Sequence, residues 1–313
     1  MNSTIAILLS TYNGEKYLSE QIESIIHQTA SNWVLYIRDD GSTDSTNEII
    51  TKYEKVDKRV RRFTDNKPET NLGPMKSFFY MLKNVDSFYY MFCDQDDVWL
   101  PTKIMKTMQK MEQLEIDSKY TPCLVHTELT VVNASLQPLT TVKRDVQDDL
   151  RTILLANDIT GCTVLINKAL RSLALESIDT VSVMHDMWLG LLAAKFGRVA
   201  YVDGSTMLYR QHAENVVGTS GNRIDKIRRI TSKSEKTRII TSINAARALL
   251  EYYSGRFSSS EQYYIRAVAD IGSSVFVTCI VKMIRAHVFK HTVTATIAFW
   301  VKIGINYKAL SSF

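Results

Sequence analysis

The sequence predicts an α/β fold, in which an open sheet flanked by helices is followed by a helical extension. Short apolar runs occur at residues 5–9, 33–37 and 88–93, and such runs are typical of buried parallel strands. Apolar residues at helical spacing follow the first two runs. All five prolines lie at or before residue 138, and the remaining chain favours helices.

The first two helices are predicted from spacing and from a capping pattern. Apolar residues recur at helical spacing from Leu18 onward, which predicts a helix after the first strand. Ser45 and Glu48 have the spacing of a capping box, which predicts that the second helix begins there. A repeated strand–loop–helix order indicates a parallel sheet, whose ligands bind beyond the carboxyl ends of the strands.

Composition divides the 313 residues into two parts. The net charge is +5, but residues 221–313 alone contain 15 Lys and Arg against 5 Asp and Glu. We therefore predict a catalytic domain over residues 1–215 and a basic helical region over residues 216–313. Four scattered cysteines without metal-ligand spacing, and a start without signal-peptide features, indicate a reducing cytoplasm.

Three polar clusters follow the predicted strands and meet at one edge of the sheet. They are Thr11 to Asn13, Asp39 with Asp40, and the run "CDQDDVW" that contains Asp94 and Asp96. Carboxylates this close repel one another, and a hard cation such as Mg²⁺ or Mn²⁺ would relieve the repulsion. The neighbouring Asp97 either caps the next helix or joins the site.

Several classes of protein are disfavoured. No GxGxxG follows the first strand and no GxxxxGK[ST] occurs, which argues against a dehydrogenase or a P-loop enzyme. A nucleotidyltransferase would typically carry a glycine-rich and basic phosphate loop near the first strand. No recognisable nucleic-acid-binding motif accompanies the basic residues, so nucleic acid is not expected as a partner.

An ordered set of motifs resembles glycosyltransferase family 2 over roughly residues 4–215. The motifs read "LLSTYNGEKYLSEQIESIIHQT", "RDDGSTDST", "NLGPMKSF", "CDQDDVW", "ITGCTVLINK", "HDMW" and "YRQHAEN". The resemblance implies a GT-A fold, Rossmann-like, with a mixed and mostly parallel sheet. "DQDDVW", "HDMW" and "YRQH" are most similar to bacterial rhamnosyltransferases of cell-surface polysaccharide synthesis.

The resemblance implies a set of donor-binding residues and a set of metal ligands. The donor nucleotide-sugar would contact the nucleotide-base loop, the diphosphate loop and the floor of the sugar pocket: Thr11, Tyr12, Asn13, Asp39, Asn71, Gly73, Lys76, Asp94, Gly161 and Arg210. Asp40 would instead support the loop beside Asp39. The divalent metal, Mn²⁺ or Mg²⁺, would be bound by Asp94, Asp96 and His212.

The resemblance places the catalytic base at Asp186, in "HDMW". Inverting transfer is a single displacement, in which the acceptor hydroxyl loses a proton as it attacks the anomeric carbon. A positioned carboxylate can take that proton. The expected product from a β-linked donor is α-linked. Trp188 would stack on sugar or pack in the core, and His185 would be a polar contact in the acceptor site.

The basic C-terminal region is expected to contact the cytoplasmic face of the inner membrane. Apolar residues dominate 273–303, but Lys282, Arg285 and Lys290 interrupt them, and no uncharged run reaches the roughly 20 residues that span a bilayer. The prediction is an interfacial helix with four aromatic residues in the lipid: Phe276, Phe289, Phe299 and Trp300. The alternatives are packing on the catalytic domain and a homo-oligomer interface.

Taken together, the motifs predict transfer of L-rhamnose from dTDP-L-rhamnose to a growing, lipid-linked surface glycan by a cytoplasmic, peripheral membrane enzyme. A UDP-hexose such as UDP-galactose or UDP-glucose is the alternative donor, because thymine and uracil differ by one methyl group. A catalytically silent partner in glycan assembly is the alternative from another class of protein.

Overall fold

The computed structural model describes residues 4–64, 71–142, 148–211, 233–290 and 292–310. The chain forms two compact units, each built from several segments. The first comprises Met1–Asp145, Ile159–Leu175 and Leu192–Gly218, and the second Val146–Asp158, Glu176–Leu191 and Thr219–Phe313. The predicted functional division at residue 215 stays a prediction.

The described residues of the first unit form one sheet of nine strands. The strands are β1 (Ile5–Thr11), β2 (Trp33–Asp39), β3 (Val60–Arg62), β4 (Tyr89–Cys93), β5 (Val98–Trp99), β6 (Cys123–Val132), β7 (Pro138–Val142), β8 (Leu165–Asn167) and β9 (Arg198–Arg210). Their order in the sheet is β3-β2-β1-β4-β8-β6-β9-β5, with β7 paired to β6.

The sheet is mixed, which confirms the predicted fold class. β1, β2, β3 and β4 pair in parallel, and so do β6 and β9, whereas β8 pairs antiparallel with β4 and β6. The central β1 lies between β2 and β4, and Ile5 to Leu9 are fully buried. Burial on both faces explains why this strand is a continuous apolar run rather than an alternating one.

Eleven α-helices lie within the described ranges. They are α1 (Leu18–Ile26), α2 (Thr46–Val56), α3 (Gly73–Asn84), α4 (Lys103–Leu114), α5 (Leu150–Ala156), α6 (Lys168–Ala174), α7 (His185–Phe196), α8 (Lys233–Tyr253), α9 (Ser259–Ala269), α10 (Phe276–Arg285) and α11 (Val293–Leu310).

The second helix begins where predicted, but the predicted capping box does not form. Ser45 precedes α2 without accepting a side-chain capping bond. Asp44 replaces it, because its Oδ1 accepts the Thr46 N–H at 3.0 Å. The Ser45 N–H donates instead to Glu15 Oε2 at 3.1 Å, so a carboxylate from the preceding loop fixes this end of the helix.

The second unit has its own aromatic core. Trp188 is fully buried, its Nε1 donates to Ser177 Oγ at 3.1 Å, and its ring lies 6.2 Å from that of Tyr253. Trp188 is therefore a packing residue, which decides between its two predicted roles. Among the described residues, no helix combines the length and the apolar content needed to cross a bilayer.

Gly197, between α7 and β9, tests the packing of the first unit. A Cβ at this position would lie 1.8 Å from the Pro122 carbonyl oxygen, and that oxygen already accepts the Arg198 N–H at 2.9 Å. We expect Gly197→Ala to lower the free energy of unfolding by about 2 kcal/mol or more in urea titrations. Gly255→Ala is the control, since no atom lies within 4 Å of its Cβ, and it should change stability little. Equal effects of the two substitutions would contradict this packing.

Candidate active site

The Gln95 side chain joins the loop after β1 to the loop after β4. Its Oε1 accepts the Thr11 hydroxyl at 2.6 Å and the Tyr12 N–H at 2.8 Å, and its Nε2 donates to the Tyr12 carbonyl at 3.1 Å. Thr11 pairs with Asp39 across β1 and β2. The ends of three adjacent parallel strands therefore form one polar edge.

Close approach of these loops requires glycine at position 14. A Cβ on Gly14 would lie 2.5 Å from Thr11 Oγ1 and 2.8 Å from Gln95 Oε1. Asn13 precedes it in a left-handed conformation, with φ 49°. Its N–H donates to Ser42 Oγ at 2.8 Å, which ties this loop to the one after β2. Tyr12 stays 47% exposed, so its ring is accessible to a ligand.

Asp39, the predicted partner of the pyrimidine, organises the loop after β2. Its Oδ2 accepts the Ser42 N–H and Asn47 Nδ2, each at 3.1 Å, and its Oδ1 accepts the Ser42 hydroxyl. The side chain is buried, and its orientation is fixed by these three donors. A fixed carboxylate at a strand end suits recognition of a base, and that role stays a prediction.

Asp40 supports the start of α3, whereas the prediction was that it supports the loop beside Asp39. Its two oxygens accept the N–H groups of Leu72 and Gly73, each at 2.7 Å, and Arg38 forms a buried ion pair with it. Asn71 Oδ1 also accepts the Gly73 N–H, at 3.1 Å. Gly73 has φ +74°, a conformation that favours glycine. The predicted diphosphate loop is thus attached to the end of β2.

Asp94, Asp97 and Cys162 form a group of potential metal ligands. One ligand atom from each lies within 4.8 Å of the other two. Asp97 is 1% exposed, and its Oδ1 accepts the Arg210 N–H at 3.1 Å. Its Oδ2 is buried and receives no N–H or O–H donor, while the Cys162 thiol, a weak donor, hydrogen-bonds the carboxyl group. A buried carboxylate oxygen lacking such a donor fits a bound cation, so the residues present suit a divalent metal.

The electrostatics of this group favour a cation. Burial raises the pKa of Asp97 well above its usual value, and the charges of Asp96 and Asp94 raise it further. Burial likewise raises the pKa of the Cys162 thiol, with Asp97 and Asp94 adding to the effect. A divalent ion would reverse both tendencies and stabilise the ionised forms.

Lys103 is a buried cation that the sequence analysis missed. Its Nζ lies 3.5 Å from both Thr206 Oγ1 and Met207 Sδ, and 4.9 Å from the centre of the Trp99 ring. Burial lowers its pKa to about 8, although the charges of Cys162, Cys93 and Asp97 act in the opposite direction. Its burial could have been inferred from helical spacing, because Lys103 lies on the buried face of α4 with Thr107 and Met111.

Arg210, the last residue of β9, anchors the acidic loop. Its guanidinium is 2% exposed. Nε donates to the Asp96 carbonyl at 2.7 Å, Nη1 donates to the Ala134 carbonyl at 2.6 Å, and Nη2 pairs with Glu20. The ring of Tyr17 lies 4.5 Å away. These contacts position residues 96 and 97, and the predicted phosphate contact of Arg210 stays a prediction.

The other predicted site residues are distributed as follows. Asp96 is half-buried and lies outside the Asp94–Asp97–Cys162 group, although its charge acts on Asp97. Gly161 is buried in a 3-10 turn, Gly161–Thr163, beside Cys162. Lys76 is exposed on α3. His212 lies outside the described residues.

Asp186, the predicted base, belongs to the second unit. It lies in the first turn of α7, is half-buried, and its Oδ1 accepts the N–H of Met187 at 2.6 Å. An acidic residue here interacts favourably with the helix dipole. The preceding His185 is 2% exposed, and burial lowers its pKa to about 3. His185 is therefore neutral at physiological pH.

The model for glycosyl transferase family 2 matches residues 6–173. Since this match covers more than half of the chain, and the sheet has the mixed arrangement of a GT-A fold, the chain belongs to glycosyl transferase family 2.

Two curated relatives illustrate the similarity. The "Putative teichuronic acid biosynthesis glycosyltransferase TuaG" of Bacillus subtilis is 30% identical over 34% of this chain and 41% of its own length. The dTDP-rhamnosyl transferase RfbG of Shigella flexneri is 26% identical over 68% of this chain and 74% of its own length. The match to TuaG thus spans about two fifths of that protein.

Two solved structures share the fold. TarS 1-349 of S. aureus has a TM-score of 0.59 and 16% identity, with 99% of this chain and 90% of that chain covered. The mannosyltransferase PcManGT of Pyrobaculum calidifontis, solved with GDP-Man and Mn²⁺, has a TM-score of 0.50 and 12% identity, covering 98% and 87%. At these identities the likeness concerns the fold.

Arg210→Lys should destabilise the acidic loop. An ammonium group cannot serve the Asp96 carbonyl, the Ala134 carbonyl and Glu20 together, so buried acceptors lose their donors. We expect the free energy of unfolding to fall by about 2–3 kcal/mol and Mn²⁺ affinity to fall with it. Arg256→Lys, at a half-exposed pair with Glu176, is the control and should have little effect. Unchanged stability and Mn²⁺ affinity in Arg210→Lys would contradict the anchoring role.

His185 predicts how stability depends on pH. The folded-state pKa is about 3 and the usual value is 6.5, so below pH 6.5 the unfolded chain binds a proton that the folded chain does not. Stability should therefore fall as the pH drops from 6.5 towards 3, by about 2 kcal/mol at pH 5. Urea titrations of His185→Gln should lack this part of the slope. His27→Gln, on a largely exposed side chain, should keep it. A slope unchanged in His185→Gln would show that other groups cause it.

Proposed function

We propose that this chain is an inverting, metal-dependent glycosyltransferase that moves L-rhamnose from dTDP-L-rhamnose to a hydroxyl of a growing cell-surface polysaccharide. The observation that carries the proposal is the Asp94–Asp97–Cys162 group beside the polar edge formed by β1 and β2. Ligands of open α/β sheets bind at this edge. Membership of glycosyl transferase family 2 supports a nucleotide-sugar donor.

The sugar and the nucleotide are proposed from similarity. RfbG, whose name gives dTDP-rhamnose as its donor, aligns with 68% of this chain. The order of the motifs from "DQDDVW" to "YRQH" resembles the same group of enzymes. Within the site, Tyr12 would face the base, Asp39 would hydrogen-bond it, and Asn13 would fix the loop between them. Asn71, Gly73, Lys76 and Gly161 would line the path of the diphosphate and sugar.

The proposed metal site would hold the donor diphosphate. Asp94 and Asp96, with His212, are the proposed ligands, and the geometry adds Asp97 and Cys162, which lie close to Asp94. When bound, Mn²⁺ or Mg²⁺ would neutralise the negative charge that grows on the leaving diphosphate. PcManGT, which has this fold, was solved with Mn²⁺. Arg210 would act by keeping the acidic loop in place.

Asp186 is the proposed catalytic base. Its carboxylate would accept the proton of the acceptor hydroxyl as that oxygen attacks the anomeric carbon. The bond to the Met187 N–H limits how the carboxylate can rotate. A positioned base of this kind contributes about 10²–10⁴-fold to the rate.

The proposed acceptor is a lipid-linked glycan at the cytoplasmic face of the inner membrane. A lipid-linked acceptor would require the enzyme to work at a membrane surface, and the basic C-terminal region would suit an anionic one. TuaG, a relative over 34% of this chain, is named for teichuronic acid biosynthesis.

A UDP-sugar is the second candidate donor. TarS, which covers 99% of this chain in the structural alignment, was also solved with UDP-GlcNAc. The two readings share the fold, the metal and the base, and they differ in the donor. A silent partner is less well supported, because such a protein has no need to keep buried Asp97 next to Asp94.

Asp186→Asn should separate binding from turnover. The amide cannot take a proton, so we expect the rate of rhamnosyl transfer to fall by at least about 100-fold while donor affinity stays within a few-fold. Asp179→Asn, an exposed carboxylate in the same unit, is the control and should keep full activity. Full activity in Asp186→Asn would remove the base assignment, and lost donor binding would place Asp186 in the donor site.

The donor is tested by hydrolysis and binding with a panel that includes dTDP-rhamnose, UDP-glucose and UDP-galactose. We expect Mn²⁺-dependent binding and slow hydrolysis of dTDP-rhamnose, both lost in Asp96→Ala. A preference for a UDP-hexose would contradict the assignment of dTDP-rhamnose as donor and would leave the proposed mechanism unchanged. If neither the wild-type protein nor Asp96→Ala binds any donor, the result would favour a catalytically silent partner in glycan assembly.

A further inference from the structure

α10 and α11 pack against each other as an antiparallel pair in the second unit. At one end, the ring of Phe276 lies 5.3 Å from that of Tyr307, and a Cβ on Gly304 would lie 3.1 Å from Phe276 Cζ. Towards the other end, the ring of Phe289 lies 6.0 Å from that of Trp300. The inner sides of the two helices are thus defined by contacts within the pair.

The outer side of α11 is apolar. Four aliphatic residues spaced four apart are between 50% and 76% exposed: Val293, Ile297, Val301 and Ile305. Residues at this spacing lie along one side of a helix. The other exposed residues of the described part of α11 are Thr294 and Ala298, so none of the side chains seen to be exposed there is charged. A helix side that faces only water normally carries charged residues.

The outer side of α10 continues this pattern with a basic residue at its end. Val277, Val281 and Ile284 are exposed at helical spacing, and Arg285 is exposed beside them. Phe289, which follows the helix, is also exposed. Scattered exposed aliphatic residues need no explanation, but seven on two packed neighbouring helices, with exposed Phe289 between the helices, require one. The eight residues are Val277, Val281, Ile284, Phe289, Val293, Ile297, Val301 and Ile305, and we call them the apolar face.

Charge indicates what covers the apolar face. Residues 271–313 contain five Lys and Arg and no Asp or Glu. Two copies of such a segment would bring like charges together, whereas an anionic lipid surface would attract both. Lys282 is paired with Asp270 at 3.1 Å, and Lys290 lies 5.0 Å from the centre of the Phe299 ring. Exposed Arg285 therefore stands beside the face to meet lipid head groups.

We propose that the apolar face is the membrane-docking surface of this protein and that its occupant is an anionic lipid bilayer. The aliphatic side chains enter the boundary between head groups and acyl chains, and the basic residues lie at the phosphate level. Of the aromatic residues expected from the sequence to enter lipid, Phe289 belongs to this face. Phe299 is buried and Phe276 packs on Tyr307, so aliphatic residues take their place.

This surface deepens the proposed function, because it would bring the enzyme to a lipid-linked acceptor. Its test is independent of that function. The full chain is mixed with phosphatidylcholine vesicles and with vesicles that also contain phosphatidylglycerol, and binding is measured by flotation. We expect binding to the anionic vesicles, weakened by salt.

Ile297→Ser with Val301→Ser is the test variant. Two exposed aliphatic side chains are removed, so the fold should hold while vesicle affinity falls by at least about ten-fold. Val56→Ser with Ile116→Ser, on exposed aliphatic residues of the first unit, is the matched control and should bind like wild type. Arg285→Gln should weaken binding by about five-fold.

Three results would overturn the proposal. The first is that the wild-type protein does not bind anionic vesicles. The second is that the test variant binds these vesicles as tightly as the wild-type protein. A concentration-dependent dimer in analytical ultracentrifugation, lost in the test variant, would assign the face to a second copy of the chain. Donor hydrolysis is also measured without vesicles, so that the two proposals are tested separately. If the wild-type protein binds vesicles but hydrolyses no donor, the result contradicts the proposed function and leaves the docking surface in place.

Discussion

Mutual repulsion among Asp94, Asp96 and Asp97 is the constraint on which the site depends. The three carboxylates follow a fully buried strand, where the low polarity strengthens the repulsion. Arg210 holds the backbone of this loop from one side, and the buried Lys103 supplies a positive charge from within the first unit. The buried Oδ2 of Asp97 still receives no N–H or O–H donor. A divalent cation beside it would offset the negative charge of the three carboxylates.

The same loop is also joined to the neighbouring strands, and this links the proposed metal site to the donor pocket. Gln95 lies between Asp94 and Asp96 and forms three hydrogen bonds with the end of β1. Gly14 permits that contact because any side chain would collide with Gln95. A shift of the acidic loop should therefore move the loop that carries Tyr12. Metal binding and nucleotide binding should be coupled for this reason.

Much of the fold could be predicted from the sequence because burial leaves a simple pattern. The continuous apolar runs located β1, β2 and β4, and helical spacing located the start of α1 at Leu18. The cap of α2 was harder to predict, because Asp44 rather than Ser45 accepts an N–H at the start of the helix. The Ser45 N–H instead donates to Glu15, whose position depends on the fold. The division into two units could not be predicted, because both contain segments distant in sequence.

The strand-end residues of the candidate site could be proposed from the sequence, whereas two buried residues near the acidic loop could not. Cys162 and Lys103 reach the acidic loop only through the fold, and neither belongs to a recognisable ligand pattern. Arg210 was proposed from its motif as a phosphate contact, but its contacts with Asp96 and Glu20 depend on the position of β9 and could not be predicted. In the C-terminal region, composition indicated an interfacial helix, while only the helix pairing shows which side is exposed.

The central claim is that the acidic loop binds a divalent metal together with a nucleoside diphosphate. Electron paramagnetic resonance of Mn²⁺ titrated into the protein, with and without dTDP, tests it most directly. The account predicts a bound Mn²⁺ whose affinity rises with dTDP and falls by at least about ten-fold in Asp94→Asn, with Asp117→Asn as an exposed control. Equal Mn²⁺ affinity in wild type and Asp94→Asn, or none in either, would contradict it.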